Sequence, residues 1–102
     1  MNMEFEWDEA KRQSNLEKHG VDFIDAVLVL ADAPLILEDT RRDYGEQRCI
    51  ALGERNGLLF VVAFTLRDGA FRIISARRAN ARERRSYEKR IEQETAYPYD
   101  PA

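Results

Sequence analysis

Two adjacent side chains near the amino terminus have the chemistry of a proton-transfer site. Lys18 and His19 stand directly before Gly20. Histidine is the side chain that changes charge between pH 5 and 8, and a lysine ammonium can neutralise a phosphate oxygen. The same residues also suit the end of a helix, because cations stabilise its carboxyl terminus and glycine commonly follows it. The sequence leaves both interpretations open.

Three arginines surround a tight Asp-Gly turn further along the chain. Arg67 precedes the turn, and Arg72 and Arg77 follow it, in two segments that have the pattern of antiparallel strands. Guanidinium groups bind the oxygens of a phosphodiester in a forked geometry. Strict alternation along the second strand predicts Arg77 on one face of the sheet and Arg72 and Arg78 on the other. Arg72 and Arg77 would share a cleft only if a bulge or the strand end intervenes.

A charged segment near the carboxyl terminus offers a second set of candidates. Glu83 and Tyr87 are four residues apart, so they lie on the same side of a helix. Glu83 could act as a general base and Tyr87 could stack on a nucleobase, with Arg84 beside them. The alternative is an ordinary solvated helix face, because neighbouring arginines and glutamates are common on helix surfaces.

The remaining distinctive residues favour simpler roles. Trp7 is either a core aromatic or a platform on which a base stacks. Cys49 lies in a strand pattern that predicts a small buried side chain, and as the single cysteine it excludes an intramolecular disulfide. The sequence has no Gly-rich phosphate loop, no Ser/His/Asp set and no carboxylates at metal-ligand spacing. We therefore expect neither a metal nor a cofactor.

Charge is distributed unevenly along the chain, whose net charge is −3. Residues 67–90 contain nine basic and three acidic residues, whereas residues 1–66 contain seven basic and thirteen acidic ones. Phosphate binding depends on the local potential rather than on the net charge. The basic segment therefore favours a nucleic acid partner, despite a sequence pI near 5.2.

Hydrophobic periodicity and capping residues predict the elements that position these side chains. We expect a strand at Met3–Trp7, a polar helix from Asp8 to about His19 and an almost entirely apolar helix at Phe23–Leu30. Four strands should follow at about residues 35–38, 47–53, 58–67 and 70–77, and a third helix at about 80–94. Asn56-Gly57 and Asp68-Gly69 predict short hairpin turns. The order β-αα-ββββ-α indicates an α+β domain with an antiparallel meander.

The length of 102 residues suits one domain. We expect a single domain at residues 1–95 and a short carboxyl-terminal tail at 96–102. No apolar run approaches the length of about 18 residues that a membrane span needs, and the amino terminus lacks the basic and then apolar stretch of a secretory signal. The expectation is a cytoplasmic protein without a membrane partner.

Two long segments resemble the characteristic sequences of one bacterial family. FEWDEAKRQSNLEKHGVDFIDA at residues 5–26 and RIISARRANARERRSYE at residues 72–88 resemble those of the BrnT family, toxins of type II toxin–antitoxin systems. The similarity spans about residues 3–90. It implies a RelE-like fold and an endoribonuclease that cleaves RNA without a metal. It also implies a ribbon-helix-helix antitoxin of the BrnA type, which binds the toxin in a hetero-oligomeric complex and represses the shared operon.

Carried over by motif position, the resemblance points to Lys18, His19, Arg67, Arg72, Arg77, Glu83, Arg84 and Tyr87. In the resulting hypothesis, the ribose 2′-OH attacks the adjacent phosphorus. Arg67 and Arg77 clamp the phosphate, and Lys18 stabilises its developing charge. His19 or Glu83 is the general base. The residues expected to contact RNA are Arg72, Arg78, Arg84, Tyr87 and Trp7.

Two other functions also fit the sequence. A non-catalytic RelE-like module could dock an antitoxin and modulate operator binding, since an acidic first part and a basic second part also suit protein pairing. A plain RNA-binding domain would show salt-dependent affinity without strand scission.

Overall fold

The computed structural model describes residues 3–95, and the predicted tail at 96–102 lies outside the described residues. The elements are β1 (Phe5–Glu6), α1 (Glu9–His19), α2 (Phe23–Ala31), β2 (Leu35–Glu38), β3 (Arg48–Arg55), β4 (Leu58–Arg67), β5 (Ala70–Arg78) and α3 (Ala81–Thr95). Their order is the predicted one, which confirms the α+β fold.

The five strands form one sheet in the order β1-β5-β4-β3-β2. Strands β2 to β5 are the expected antiparallel meander. The short β1 adds a parallel pairing at the β5 edge, with Phe5 opposite Phe71, so the sheet is mixed. β4 is the central strand and is buried on both faces along most of its length, as its unbroken apolar sequence predicts.

One face of the sheet is covered by α2, which we call the α2 face. The helix is capped by the Asp22 carboxylate and buries Phe23, Ala26, Val29 and Leu30. These side chains pack in one cluster with Val62, Phe64, Ile73 and Ala76 of β4 and β5. The nearly continuous apolar sequence of α2 is explained by this position in the core.

The opposite face of the sheet, which we call the α3 face, carries a smaller apolar cluster. Leu52, Leu59 and Val61 are buried there, and Tyr87 of α3 packs against them. Within residues 3–95, no helix has the length and apolar composition needed to cross a membrane.

A β-bulge in β5 determines which arginines share the α3 face. Ile73 pairs with Phe64 and Ser75 pairs with Ala63, so Ile74 is the extra residue without a partner. Beyond the bulge, Arg77 pairs with Val61, whereas Arg72 before it pairs with Thr65.

Positions 61 and 65 are four apart on β4 and lie on one face of the strand. Directly opposite residues share a face. Arg72 and Arg77 therefore lie on the same face, and the strict alternation predicted for β5 is wrong because of the bulge.

Candidate functional site

Arg77 is held by a carboxylate through two parallel hydrogen bonds. Its Nη1 and Nη2 atoms donate to Oε1 and Oε2 of Glu83, each at 2.7 Å. The bonds from Arg77 lower the pKa of the Glu83 carboxyl, although its partial burial opposes the effect. The same bonds raise the pKa of Arg77. Glu83 is thus an ionised partner of the guanidinium in the free protein.

The local sequence explains why Glu83 stands at this point. The side chain of Asn80 accepts a hydrogen bond from the Glu83 N–H at 2.8 Å, and Glu83 Oε1 accepts one from the Asn80 N–H at 2.9 Å. This reciprocal pair is a capping box at the start of α3. Because both oxygens of Glu83 are engaged and its pKa is lowered, the carboxylate is a poor general base as it stands.

Lys18 and His19 end α1 beside the β5 edge. Gly20 adopts the left-handed conformation (φ 68°), and its N–H donates to the Leu16 carbonyl, so the helix-end interpretation of this segment is correct. Both side chains are exposed. They line a shallow cavity of about 240 Å³ together with Ile74 and Ser75 of β5. The structure thus satisfies the helix-ending role and also places the pair beside the bulge.

Asn15 fixes α1 against the strand. It is 6% exposed on a helix that is otherwise largely in solvent. Its Nδ2 donates to the carbonyls of Val21 at 2.9 Å and Ala76 at 2.7 Å, and its Oδ1 accepts from the Ala76 N–H at 3.1 Å. The side chain therefore bonds to the backbone of β5 as a neighbouring strand would. Sequence analysis missed Asn15, because one asparagine in a polar helix gives no pattern.

Ser75 lies between the two site arginines on the α3 face. It pairs with Ala63, between the Thr65–Arg72 and Val61–Arg77 pairs. Arg72 also contacts Glu6 of β1 at 3.5 Å. The structure thus brings together Arg72, Ser75 and Arg77 on one face, with Lys18 and His19 at its edge. Ser75 was also missed, since no sequence pattern singles out a serine within a strand.

Arg67 extends this basic surface at the end of β4. It is two residues from Thr65 and so lies on the same face, and it contacts Glu46 at 3.3 Å. Arg67, Arg72 and Arg77, which the structure places on this face, therefore each have a carboxylate partner in the free protein.

Four other predicted residues do not line the cavity beside Ser75. Arg78 pairs with Phe60 and lines a separate cavity with Gly20 and Asp25. Arg84 contacts Glu54 at 3.8 Å. Trp7 packs edge-on against Phe23 at 6.2 Å and donates to Glu9 at 3.2 Å. Tyr87 packs in the apolar cluster under α3.

A larger groove separates α3 from the sheet on the same face. Its volume is about 550 Å³. The floor is apolar, whereas Arg41, Arg77, Arg82, Lys89 and Arg90 supply positive charge along its sides. Arg77 therefore borders both this groove and the surface around Ser75.

This arrangement can carry out phosphate chemistry. Guanidinium and ammonium groups can neutralise charge on a phosphodiester, and an imidazole at the edge can move a proton. Among residues 3–95, no three His, Cys, Asp or Glu side chains are grouped as metal ligands would be.

Comparisons with known proteins identify the family of the chain. A family model described as the ribonuclease toxin BrnT of type II toxin–antitoxin systems matches residues 7–83. The chain is also similar to the Brucella abortus ribonuclease toxin BrnT, whose crystal structure is known at 1.1 Å resolution. The two sequences are 34% identical, and the two structures superpose with a TM-score of 0.58. The match covers 78% of this chain and 99% of that one. A search of curated proteins gave no match.

Proposed function

Since the chain belongs to the BrnT family of ribonuclease toxins of type II toxin–antitoxin systems, we propose that it cleaves RNA by metal-independent attack of a ribose 2′-OH on the adjacent phosphorus. The observation that carries this proposal is the grouping of basic side chains around Ser75. The bulge at Ile74 places Arg72 and Arg77 on the same face as Ser75, and Lys18 and His19 line a cavity with Ser75.

In this mechanism the scissile phosphate lies over Ser75. Arg77 and Arg72 bind its non-bridging oxygens and, with Lys18, neutralise the charge of the pentavalent intermediate. Arg67, at the end of β4, binds the RNA backbone. Glu83 occupies two of the five N–H donors of Arg77 in the free protein, so a phosphate that uses these two donors replaces the carboxylate.

His19 is the general base in this proposal, because its exposed imidazole lines the cavity with Ser75, whereas Glu83 Oε1 also accepts from the Asn80 N–H at the start of α3. The imidazole takes the proton of the 2′-OH as the bond from the 2′ oxygen to phosphorus forms. The bond from phosphorus to the 5′ oxygen breaks, and that oxygen takes a proton from solvent water, while the protonated His19 returns its proton to solvent. The products are a 2′,3′-cyclic phosphate and a 5′-OH.

We further propose that a cytoplasmic ribbon-helix-helix antitoxin of the BrnA type neutralises the toxin in a hetero-oligomeric complex. The groove beneath α3 supports this idea, since its apolar floor and basic sides suit an acidic amphipathic segment. A segment in this groove would lie against Arg77 and so compete with the phosphate.

The test is incubation of the purified protein with a defined RNA in excess EDTA, followed by analysis of the product ends. We expect 2′,3′-cyclic phosphate ends, and a loss of about a hundred-fold in rate for Arg77→Ala. Arg55→Ala is the matched control, because Arg55 lies on β3 opposite Leu58, which packs in the α2-side cluster. RNA that stays intact, both free and on ribosomes, would instead favour the non-catalytic module.

A further inference from the structure

A second polar row crosses the α3 face and shares Arg72 with the candidate catalytic residues. Arg48 of β3 pairs with Thr65 of β4, and Thr65 pairs with Arg72 of β5. Directly opposite residues on neighbouring strands share a face. Thr65 thus lies between two arginines, and Arg72 links this row to the surface around Ser75.

Thr65 is a buried hydroxyl without a partner. The residue is 1% exposed, and its Oγ1 makes no hydrogen bond in the structure. A buried polar group without a hydrogen bond destabilises the folded state. Valine would fill the same volume without this cost, so the hydroxyl at this position requires an explanation outside the stability of the free protein.

Arg48 differs from the other arginines of this face. Arg67, Arg72 and Arg77 each contact a carboxylate, whereas Arg48 contacts none among the described side chains. Its Nε is buried and makes no hydrogen bond. The guanidinium instead lies over the ring of Tyr44, with its central carbon 3.9 Å from the ring centroid. Its charge is therefore not neutralised by another side chain.

The Tyr44 ring is itself held in place by a buried carboxylate. The Asp39 side chain is 2% exposed. It accepts a hydrogen bond from the Tyr44 hydroxyl at 2.9 Å and two from the Arg41 guanidinium, each at 2.9 Å. The Asp39 N–H donates to the Arg48 carbonyl at 2.7 Å. The stack of Arg48 on Tyr44 is thus preorganised by the loop between β2 and β3.

We propose that Arg48 and Thr65 form a binding subsite for a second phosphate of the RNA backbone. An anionic oxygen would bind the guanidinium of Arg48, and it reaches the buried Arg48 Nε and Thr65 Oγ1 only once the side chains that cover them move apart. The row of Arg48 and Thr65 is four β4 residues, or about 13 Å, from the row of Arg77. Arg48 lies two strands from β5, so an RNA strand that runs along β5 and then crosses β4 can reach both. This inference rests on the proposed function.

The test compares substrates of two lengths. A dinucleotide with one phosphodiester reaches only the catalytic residues, whereas a single-stranded decanucleotide also reaches Arg48. We expect Arg48→Met to lower kcat/KM at least ten-fold on the decanucleotide and to leave dinucleotide cleavage unchanged. Arg55→Met is the control, because Arg55 ends the same strand and also has a buried Nε without a hydrogen bond, but lies near Asp25.

A binding measurement separates this inference from the proposed function. The probe is a fluorescent all-2′-deoxy decanucleotide, which cannot be cleaved by 2′-OH attack. Arg48→Met should weaken its binding and lower the slope of log K against log salt by about 1. This result would support the subsite even if the wild-type protein cleaved no RNA.

Thr65→Val provides a second variant with a distinct signature. It should raise Tm, because the unpartnered hydroxyl is removed, and weaken decanucleotide binding at the same time. Equal losses on both substrates, or unchanged decanucleotide binding in both variants, would overturn the proposal. Unchanged RNA binding with loss of binding to a polyglutamate peptide would assign the row to a protein partner, and would overturn it as well.

Discussion

Arg77 and Glu83 form a two-pronged ion pair, with both nitrogen–oxygen distances at 2.7 Å. The carboxylate belongs to the first turn of α3, and the guanidinium belongs to β5. A phosphate that binds through these two N–H donors must therefore replace Glu83, which occupies two of the five donors of the guanidinium. The free protein has an occupied arginine at the centre of its candidate site, and this determines the first prediction.

Glu83→Gln should increase RNA affinity without abolishing cleavage. The amide keeps an oxygen that can accept from the Asn80 N–H, but it no longer neutralises Arg77. We expect affinity for a non-cleavable deoxy-oligonucleotide to rise about two- to ten-fold, since a charged hydrogen bond is replaced by a neutral one. Anisotropy and single-turnover cleavage measure the two effects. A fall in cleavage of 10²- to 10⁴-fold, a range typical of a lost general base, would show that Glu83 is the base.

Stability should fall in acid, and Glu83 should contribute to that fall. The pKa of its carboxyl is lowered from an ordinary value of 4.5. A group whose pKa is lower in the folded state stabilises the protein above its unfolded pKa, and the contribution is lost as pH falls through the folded value. Urea unfolding should therefore show a free-energy gap between wild type and Glu83→Gln at pH 7 that narrows toward pH 3. A gap that does not change with pH would contradict this assignment.

His19→Gln should abolish most cleavage while leaving the fold intact. Loss of a general base typically lowers the rate by 10²- to 10⁴-fold. Lys18→Met should cost on the order of 10²-fold, as expected for an electrostatic stabiliser. Both side chains are exposed, so Tm should change little. Glu17→Gln, also exposed at the end of α1, is the control. Cleavage by His19→Gln at the wild-type rate would exclude His19 as the base.

Asn15→Ala should destabilise the protein and displace α1. The change leaves the N–H and carbonyl of Ala76 and the carbonyl of Val21 without their partner. An unsatisfied buried polar group costs about 1–3 kcal/mol, and we expect a total loss of about 3 kcal/mol in urea unfolding. Cleavage should fall as well, because Lys18 and His19 are on the same helix. Gln13→Ala, at an exposed position of the same helix, should change neither quantity.

Local sequence signals were sufficient for the elements and their order. Asp8 and Asp22 cap the first two helices as predicted. The turns at Asn56-Gly57 and Asp68-Gly69 have the positive φ angles that such pairs favour. These features depend on residues close together in the chain, and pattern reasoning reaches them directly.

The composition of the site depended on contacts that no local pattern encodes. Ile73 and Ile74 are both apolar, so the sequence of β5 does not show which one is the bulge. Only the pairing with β4 decides it. The lysine and histidine before Gly20 were found from their chemistry. Asn15 bonds to the backbone of Ala76, far away in the chain. The role proposed for Arg48 rests on a buried Nε that has no hydrogen-bond partner among the described residues.

The capping box at Asn80 and Glu83 has a consequence for control of the toxin. Because one carboxylate serves both the first turn of α3 and Arg77, the folding of that turn and the binding of a phosphate are thermodynamically coupled. Such coupling is reciprocal. A molecule that rigidifies the start of α3 holds Glu83 on Arg77 and lowers the affinity of the protein for phosphate. Bound phosphate lowers the affinity of the protein for that molecule by the same factor. A molecule that contacts α3 alone would then weaken phosphate binding without occupying the candidate catalytic surface.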